Sequence, residues 1–197
     1  MSELAGLSHL ERAELHRLAL FTCWSVGQLD WKLDRDQRAD RELLWSRPTE
    51  DFVAAISRQR GKSYWACLIA IEFAIKHPGS SVKYVSKTQK SVASIIEPQF
   101  RSILADCPEE LKPRFIPLKS TWQFANGSEI VIAGTDNKHY ERLRGQRAHL
   151  VIKDEAAFFD DYDEVDAVLG PQTLTTGGIC IEVSTPPESA GHPFESR

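Results

Sequence analysis

The chain has 197 residues, 42% of them apolar and 26% charged, with 24 basic against 28 acidic side chains and a formal net charge of −4. That composition excludes a disordered or fibrous chain and suffices for one large domain, or one with an appendage, whose core needs neither disulfides nor metal. The net acidity advertises no nucleic acid, no apolar run approaches the roughly 18 residues of a membrane span, and the start M-S-E-L-A-G-L-S-H-L-E-R lacks a signal-peptide layout, so the chain reads as soluble and intracellular.

Residues 7–30 set Leu7, Leu10, Leu15, Leu18, Leu20 and Phe21 among charges, the pattern of an amphipathic helix. A second helix is expected over 36–45, stopping ahead of Pro48. The period then changes: D-F-V-A-A-I-S (51–57) reads as a buried strand and runs into R-Q-R-G-K-S (58–63), after which 64–75 is helical and stops at H-P-G (77–79). S-V-K-Y-V-S (81–86) is strand-like and 90–104 helical apart from Pro98. T-W-Q-F-A (121–125) and S-E-I-V-I-A-G (128–134), joined by Asn126-Gly127, form a hairpin pattern. A-H-L-V-I-K (148–153) and G-I-C-I-E-V-S (178–184) are the last strands. This alternation predicts an α/β fold with a mainly parallel central sheet flanked by helices, in which ligands gather at the carboxyl ends of the strands.

Three segments at such ends carry the chemistry. In I-S-R-Q-R-G-K-S (56–63), Gly61, Lys62 and Ser63 fit the phosphate-loop pattern G-x-x-x-x-G-K-[ST], while Ile56 stands at the first glycine position. Backbone N–H groups of such a loop and the helix N-terminus hold the anion, which involves Ser57, Arg58, Gln59 and Arg60. The Lys62 amine reaches the phosphates and the Ser63 hydroxyl is offered to Mg²⁺. A plain helix N-terminal turn is the alternative, and the strand–loop–helix context favours the phosphate loop. In H-L-V-I-K-D-E (149–155) a buried strand ends in two carboxylates. Asp154 suits a Mg²⁺ ligand and Glu155 a base that orients water, against a solvated acidic turn that would also include Asp160, Asp161, Asp163 and Glu164. In S-T-P-P (184–187), Ser184 and Thr185 could bond a γ-phosphate or its attacking water, or simply make a strand-to-loop turn.

These residues together resemble the ATPase domain of the large terminase subunit, the DNA-packaging motor of tailed bacteriophages. The S-R-Q-x-G-K-S loop lacking its first glycine carries the resemblance, with Y-V-S-K-T-Q-K-S-V-A-S (84–94), N-G-S-E-I-V-I-A (126–133), L-R-G-Q-R (143–147), V-I-K-D-E-A and S-T-P. It covers about residues 31–190. It implies a P-loop NTPase fold with the extra strand of the ASCE type and ATP and Mg²⁺ as cofactors. Lys62 and Ser63 take the phosphate and Mg²⁺ positions, Asp154 the metal carboxylate and Glu155 the catalytic base. W-K-L-D-R-D-Q (31–37) resembles the adenine-recognition element, putting Gln37 at the base, and Thr185, with Ser184, matches the coupling position. Arg144 is then a finger reaching a neighbouring subunit, with Arg58 as the alternative within the same subunit and Arg60 also in the loop. The implied organisation is an N-terminal helical region with the adenine element over 1–48 and the ATPase core over 49–197, with the lid and an RNase H-like nuclease domain lying beyond residue 197. The implied partners are double-stranded DNA, a portal protein and the small terminase subunit, in a ring of identical subunits in the cytoplasm of the bacterial host.

Two basic groups could meet DNA phosphates without reading sequence: Lys138, His139, Arg142, Arg144 and Arg147, and Lys83, Lys87 and Lys90. A helicase-like ATPase acting on nucleic acid shares Gln37, the phosphate loop and the D-E pair, and a nucleotide-dependent assembly module without turnover is a third reading. Cys23, Cys67, Cys107 and Cys180 have no C-x-x-C pairing and read as small buried hydrophobes, the five tryptophans as core or interface aromatics, and the six histidines show no metal-ligand spacing.

Overall fold

The computed structural model describes residues 8–57, 59–186 and 194. Its helices are α1 (His9–Ser25), α2 (Arg35–Ser46), α3 (Lys62–Lys76), α4 (Gln89–Ser91), α5 (Glu97–Ile103) and α6 (Tyr162–Leu174). Its strands are β1 (Phe52–Ala55), β2 (Ser81–Ser86), β3 (Arg114–Ile116), β4 (Thr121–Gln123), β5 (Glu129–Gly134), β6 (Leu150–Asp154) and β7 (Ile179–Ser184). They form one seven-stranded sheet in the order β1-β7-β6-β2-β5-β4-β3. The first five strands are parallel, and β4 and β3 are added antiparallel at one edge. β7 separates β1 from β6, which is the extra-strand order of ASCE-type P-loop proteins, and the expected α/β architecture holds.

β2, β6 and β7 are buried along nearly their whole length because both faces are covered, as in parallel sheets generally. Alternation sends Val82, Tyr84, Leu150 and Ile152 into a core shared with α3 and α5, and Val85 and Val151 into a second core with α6. α3 is apolar on nearly every side, and Trp65, Leu68, Ile69 and Ile71 are fully enclosed. Each contributes about 1.5–3 kcal/mol by burial.

The N-terminal helices join the first core through Trp24, Leu29, Leu33 and Leu44. A carboxylate ties them down. Glu72 on α3 is wholly buried, accepts from the Leu29 amide at 2.8 Å, and takes two bonds from Arg41 at 2.8 and 2.9 Å. Removing one partner of a buried pair strands the other charge. Arg41→Ala is therefore expected to lower the unfolding free energy, measured by urea denaturation, by about 3 kcal/mol. That is the low end for such pairs because Lys76 remains 3.6 Å from Glu72.

Three expectations are corrected. The helix expected over 7–30 ends at Ser25, and its leucines do not form a buried face: Leu10, Leu15 and Leu18 are 80%, 46% and 48% exposed, and Trp24 is its only buried residue among those described. Pro98 does not interrupt the helix over 90–104. A π turn over Val92–Ile96 makes the Glu97 amide donate to the Val92 carbonyl, five residues back, and Pro98 then sits in the first turn of α5, where its missing N–H costs nothing. β3 and α6 complete the fold where no element was expected; α6 carries Gly170 and Pro171 near its end, which weaken the helical signal. No helix among the described residues is long and apolar enough to cross a membrane.

Candidate nucleotide site

The carboxyl ends of β1, β2, β6 and β7 lie side by side. Ala55 is in register with Ser184, Ser86 with Asp154, and Asp154 with Val183. The Ile56 amide extends the β1–β7 ladder by donating to the Ser184 carbonyl at 2.8 Å, which delivers the chain into the loop at residues 57–61. Arg58 lies outside the described residues. The loop ends at Gly61, whose φ of +68° suits glycine, and a Cβ there would come within 2.6 Å of Gln37 Nε2. The Gly61 carbonyl accepts from the Trp65 amide at 2.9 Å, the first bond of α3. The N-terminus of α3, with Lys62 and Ser63 in its first turn, thus opens onto the strand ends.

A cavity of about 360 Å³ occupies this mouth, lined among others by Gln59, Lys62, Ser63, Asp154, Glu155 and Thr185. Three segments far apart in sequence therefore converge on one space. Asp154 ends β6 on the α3 face; Lys153 before it points the opposite way and pairs with Glu182 of β7, at 2.9 Å, and with Asp166 of α6. Simple alternation would send Glu155 away from the cavity as well. Its left-handed conformation, φ +59°, turns the chain instead, and Glu155 Oε1 lies 3.5 Å from the Lys62 ammonium. Non-glycine residues held there store strain, which clusters at functional sites.

Asp154 is 1% exposed. Tyr84 donates to its Oδ2 at 2.9 Å, and the Ser63 side chain lies beside the same carboxylate. Oδ1 of Asp154 and Oε2 of Glu155 are buried without a partner among the described residues. Such orphans are rare and call for an occupant. A hydroxyl and one carboxylate beside a phosphate cradle are the set a Mg²⁺ ion uses, since it takes one or two protein carboxylates with substrate phosphates and water completing the shell. Ser63 and Asp154 fit that ion, although the described residues hold no cluster of three metal-ligating side chains.

Burial lifts the Asp154 carboxyl from the ordinary 3.8 to about 6, helped by the neighbouring Glu155 and opposed by the Ser63 and Tyr84 hydroxyls and by Lys62. A folded-state pKa above the unfolded one means the native protein holds this proton more tightly. The contribution to stability is complete below about pH 4 and is lost as pH rises through about 6. Asp154→Asn, which cannot ionise, is expected to be about 2–3 kcal/mol more stable than the wild type at pH 8, with the gap closing near pH 4. Urea denaturation at the two pH values measures this.

The other residues expected at the site are placed as follows. Gln37 accepts from the Asp34 amide through Oε1 at 3.2 Å, and its Nε2 donates to the Arg60 and Gly61 carbonyls at 3.3 Å each, so its amide braces the loop. Arg60 pairs with Asp36, and Ser57 is exposed; neither lines the cavity. Ser184 is fully buried, and its hydroxyl accepts from the Ala157 amide at 3.1 Å, which anchors the turn after Glu155. Thr185 alone of that pair lines the cavity. Arg144 is exposed outside the cavity, bonded to Glu141 at 2.6 and 2.7 Å. No role is legible in the sequence for Tyr84, nor for the cavity-lining Ser86, Ser91, Ile95, Ile96 and Phe158, and Lys87, expected in a DNA-facing basic group, lines the cavity instead. The visible signal was a phenol hydroxyl on the α3-facing side of β2, in line with Val82.

The basic groups are partly spent inside the molecule. Lys83 is buried, 2.7 Å from Gln146 Oε1 and 3.6 Å from Glu129, so it belongs to no surface patch. Lys138 pairs with Glu164, and Arg142 donates to the Ile132 carbonyl. Arg147, His139 and Lys90 stay exposed.

The family model described as terminase large subunit, T4likevirus-type, N-terminal, matches residues 53–192. The chain belongs to that family. The match begins inside β1 and runs through every segment that lines the cavity, while Gln37 and its helix precede it. Among solved structures, the fold is shared with the large terminase ATPase domain of Thermus phage P74-26 in a mutant form, at 20% identity and a TM-score of 0.65 over 80% of this chain and 67% of that one. It is shared with the HK97 bacteriophage large terminase at 15% identity and a TM-score of 0.68, over 83% and 35%. It is shared too with the large terminase of a thermophilic bacteriophage in complex with ADP, at 12% identity and a TM-score of 0.62, over 77% and 39%. This terminase chain thus matches about two thirds of an isolated ATPase domain and little more than a third of the larger terminase chains. No curated protein matches it.

Proposed function

We propose that this terminase chain binds and hydrolyses ATP with Mg²⁺, and that the turnover drives double-stranded DNA into a procapsid. The observation that carries the reading is the convergence of Lys62, Ser63, Asp154 and Glu155 on one cavity from two segments of the chain. The family and the ADP complex of a similar fold support it.

In the proposed reaction the loop amides and the α3 N-terminus receive the phosphates, and Lys62 leaves Glu155 for the β- and γ-phosphate oxygens. That exchange frees the Glu155 carboxylate to orient a water and accept its proton. The water oxygen forms the new bond to the γ-phosphorus as the bond to the β–γ bridging oxygen breaks, leaving ADP and phosphate. Ser63 and Asp154 would hold the Mg²⁺, which supplies charge neutralisation on the phosphates when bound. Thr185, at the end of β7, is placed to sense the γ-phosphate and pass its loss along that strand. Gln37 reads the adenine after releasing its loop carbonyls, and Arg144, exposed and paired only locally, serves a neighbouring subunit of a ring. Arg58 remains the candidate within the same subunit. Portal protein and the small terminase subunit are the proposed assembly partners, in the cytoplasm of the bacterial host. The helical region over 1–48 is the proposed base-recognition unit and 49–197 the catalytic one.

The test is phosphate release from Mg²⁺-ATP with and without long duplex DNA. Turnover stimulated by DNA and falling with added salt supports the motor reading. ATP-induced oligomers with no phosphate release under either condition would contradict it in favour of an assembly module.

A further inference from the structure

Tyr84 stands in the middle of β2, fully buried, in register with Ile132 on one side and Ile152 on the other. Its ring is met edge-on by Phe100 of α5, with centroids 5.7 Å apart at 76°. As packing, a phenylalanine would serve the same space, and a buried hydroxyl is costly unless it is bonded. The hydroxyl here donates to Asp154 Oδ2 at 2.9 Å, with the Cys67 thiol of α3 as its other polar neighbour. Ser86, two residues further along β2, is the register partner of Asp154, so the phenol reaches the carboxylate from beneath the cavity floor while Ser63 approaches from α3. The second oxygen, Oδ1, is buried and has no partner among the described residues.

We propose that Tyr84 is a positioning residue for the cation site: its phenol pins one oxygen of Asp154 and thereby presents the other to the Mg²⁺ that accompanies the nucleotide. The proposal rests on the nucleotide reading of the cavity. Groups that orient a metal ligand in this way contribute about 10–100-fold to metal affinity. Without the phenol, the carboxylate is free to rotate in its pocket, and the orientation that faces the cation becomes one of several.

The test measures ADP affinity by fluorescence titration in EDTA and across a Mg²⁺ series, for the wild type, Tyr84→Phe, Asp154→Asn and the double variant. Tyr84→Phe keeps the ring and its Phe100 contact, and a melting curve checks that it is folded. Its ADP affinity in EDTA is expected to equal that of the wild type, while the Mg²⁺ concentration for half-maximal effect rises about 10-fold. In the Asp154→Asn background the same change is expected to have no further effect, because the oxygen it positions no longer serves the cation; a merely structural role would act in both backgrounds. A folded Tyr84→Phe with the wild-type Mg²⁺ dependence, or equal effects in both backgrounds, would overturn the proposal alone. Wild-type protein that binds no ADP, or binds it without response to Mg²⁺, would overturn the nucleotide reading as well.

Discussion

Lys62→Ala is expected to weaken ATP binding about 100-fold, as read by calorimetric or fluorescence titration, with little change in the melting temperature of the free protein. Lys62 is 7% exposed at the head of α3, and its nearest charged partner is Glu155 at 3.5 Å. A charge-assisted bond to a desolvated oxygen is worth about 1.5–3 kcal/mol, and an amine that bridges two phosphates makes two of them. About 3 kcal/mol after desolvation corresponds to roughly two orders of magnitude in affinity. Arginine would not substitute, because its guanidinium acts as a planar fork instead of a compact point charge. Equal binding by the wild type and Lys62→Ala would remove the phosphate-loop assignment.

Glu155→Gln is expected to leave ATP affinity within a few-fold of the wild type and to reduce the single-turnover hydrolysis rate about 10²–10⁴-fold. The amide keeps the shape and one acceptor oxygen but cannot take a proton. The residue sits in a left-handed turn, and its carboxylate meets Lys62 at 3.5 Å through one oxygen while the other has no partner among the described residues, so the backbone turn does most to fix its position. The substitution should therefore not disturb the fold. Loss of the negative charge beside Lys62 also favours the lysine's move to phosphate, so affinity in the variant is expected to rise, not fall. An unchanged hydrolysis rate would assign the base elsewhere.

The strand–loop–helix order made the phosphate loop legible despite Ile56, since anion binding depends on backbone amides and a helix start more than on one glycine. The Asp154–Glu155 pair was legible for a similar reason: two acids ending an apolar strand have nowhere to be solvated except the mouth. The ASCE-type order followed from the family pattern, and the register of β1, β7 and β6 agrees with it.

Side-chain partners separated by long stretches of chain were not legible. Lys83 reads as one of three basic residues until Glu129 and Gln146, 46 and 63 positions later, close over it. Ser184 reads as a free hydroxyl until the turn after Glu155 brings the Ala157 amide to it. Gln37 lies on a helix whose distance from the loop no local pattern gives, and only the fold shows that its amide braces residues 60 and 61. In α1 the leucines were counted as a face, but they are spread around a helix that projects from the core. At Pro98 the rule about missing donors was sound, and a π turn upstream satisfied it without ending the helix.

The cavity at the ends of β1, β6 and β7 is the proposed ATP site. A crystal structure of the protein grown with Mg²⁺ and a non-hydrolysable ATP analogue tests it most directly. Triphosphate density is expected against the loop at 57–61, with the γ-phosphate within hydrogen-bonding reach of Lys62, a cation touching Ser63 and Asp154, and Lys62 no longer paired with Glu155. Nucleotide bound elsewhere, or a cavity still bridged by Lys62 and Glu155 at saturating analogue, would contradict it.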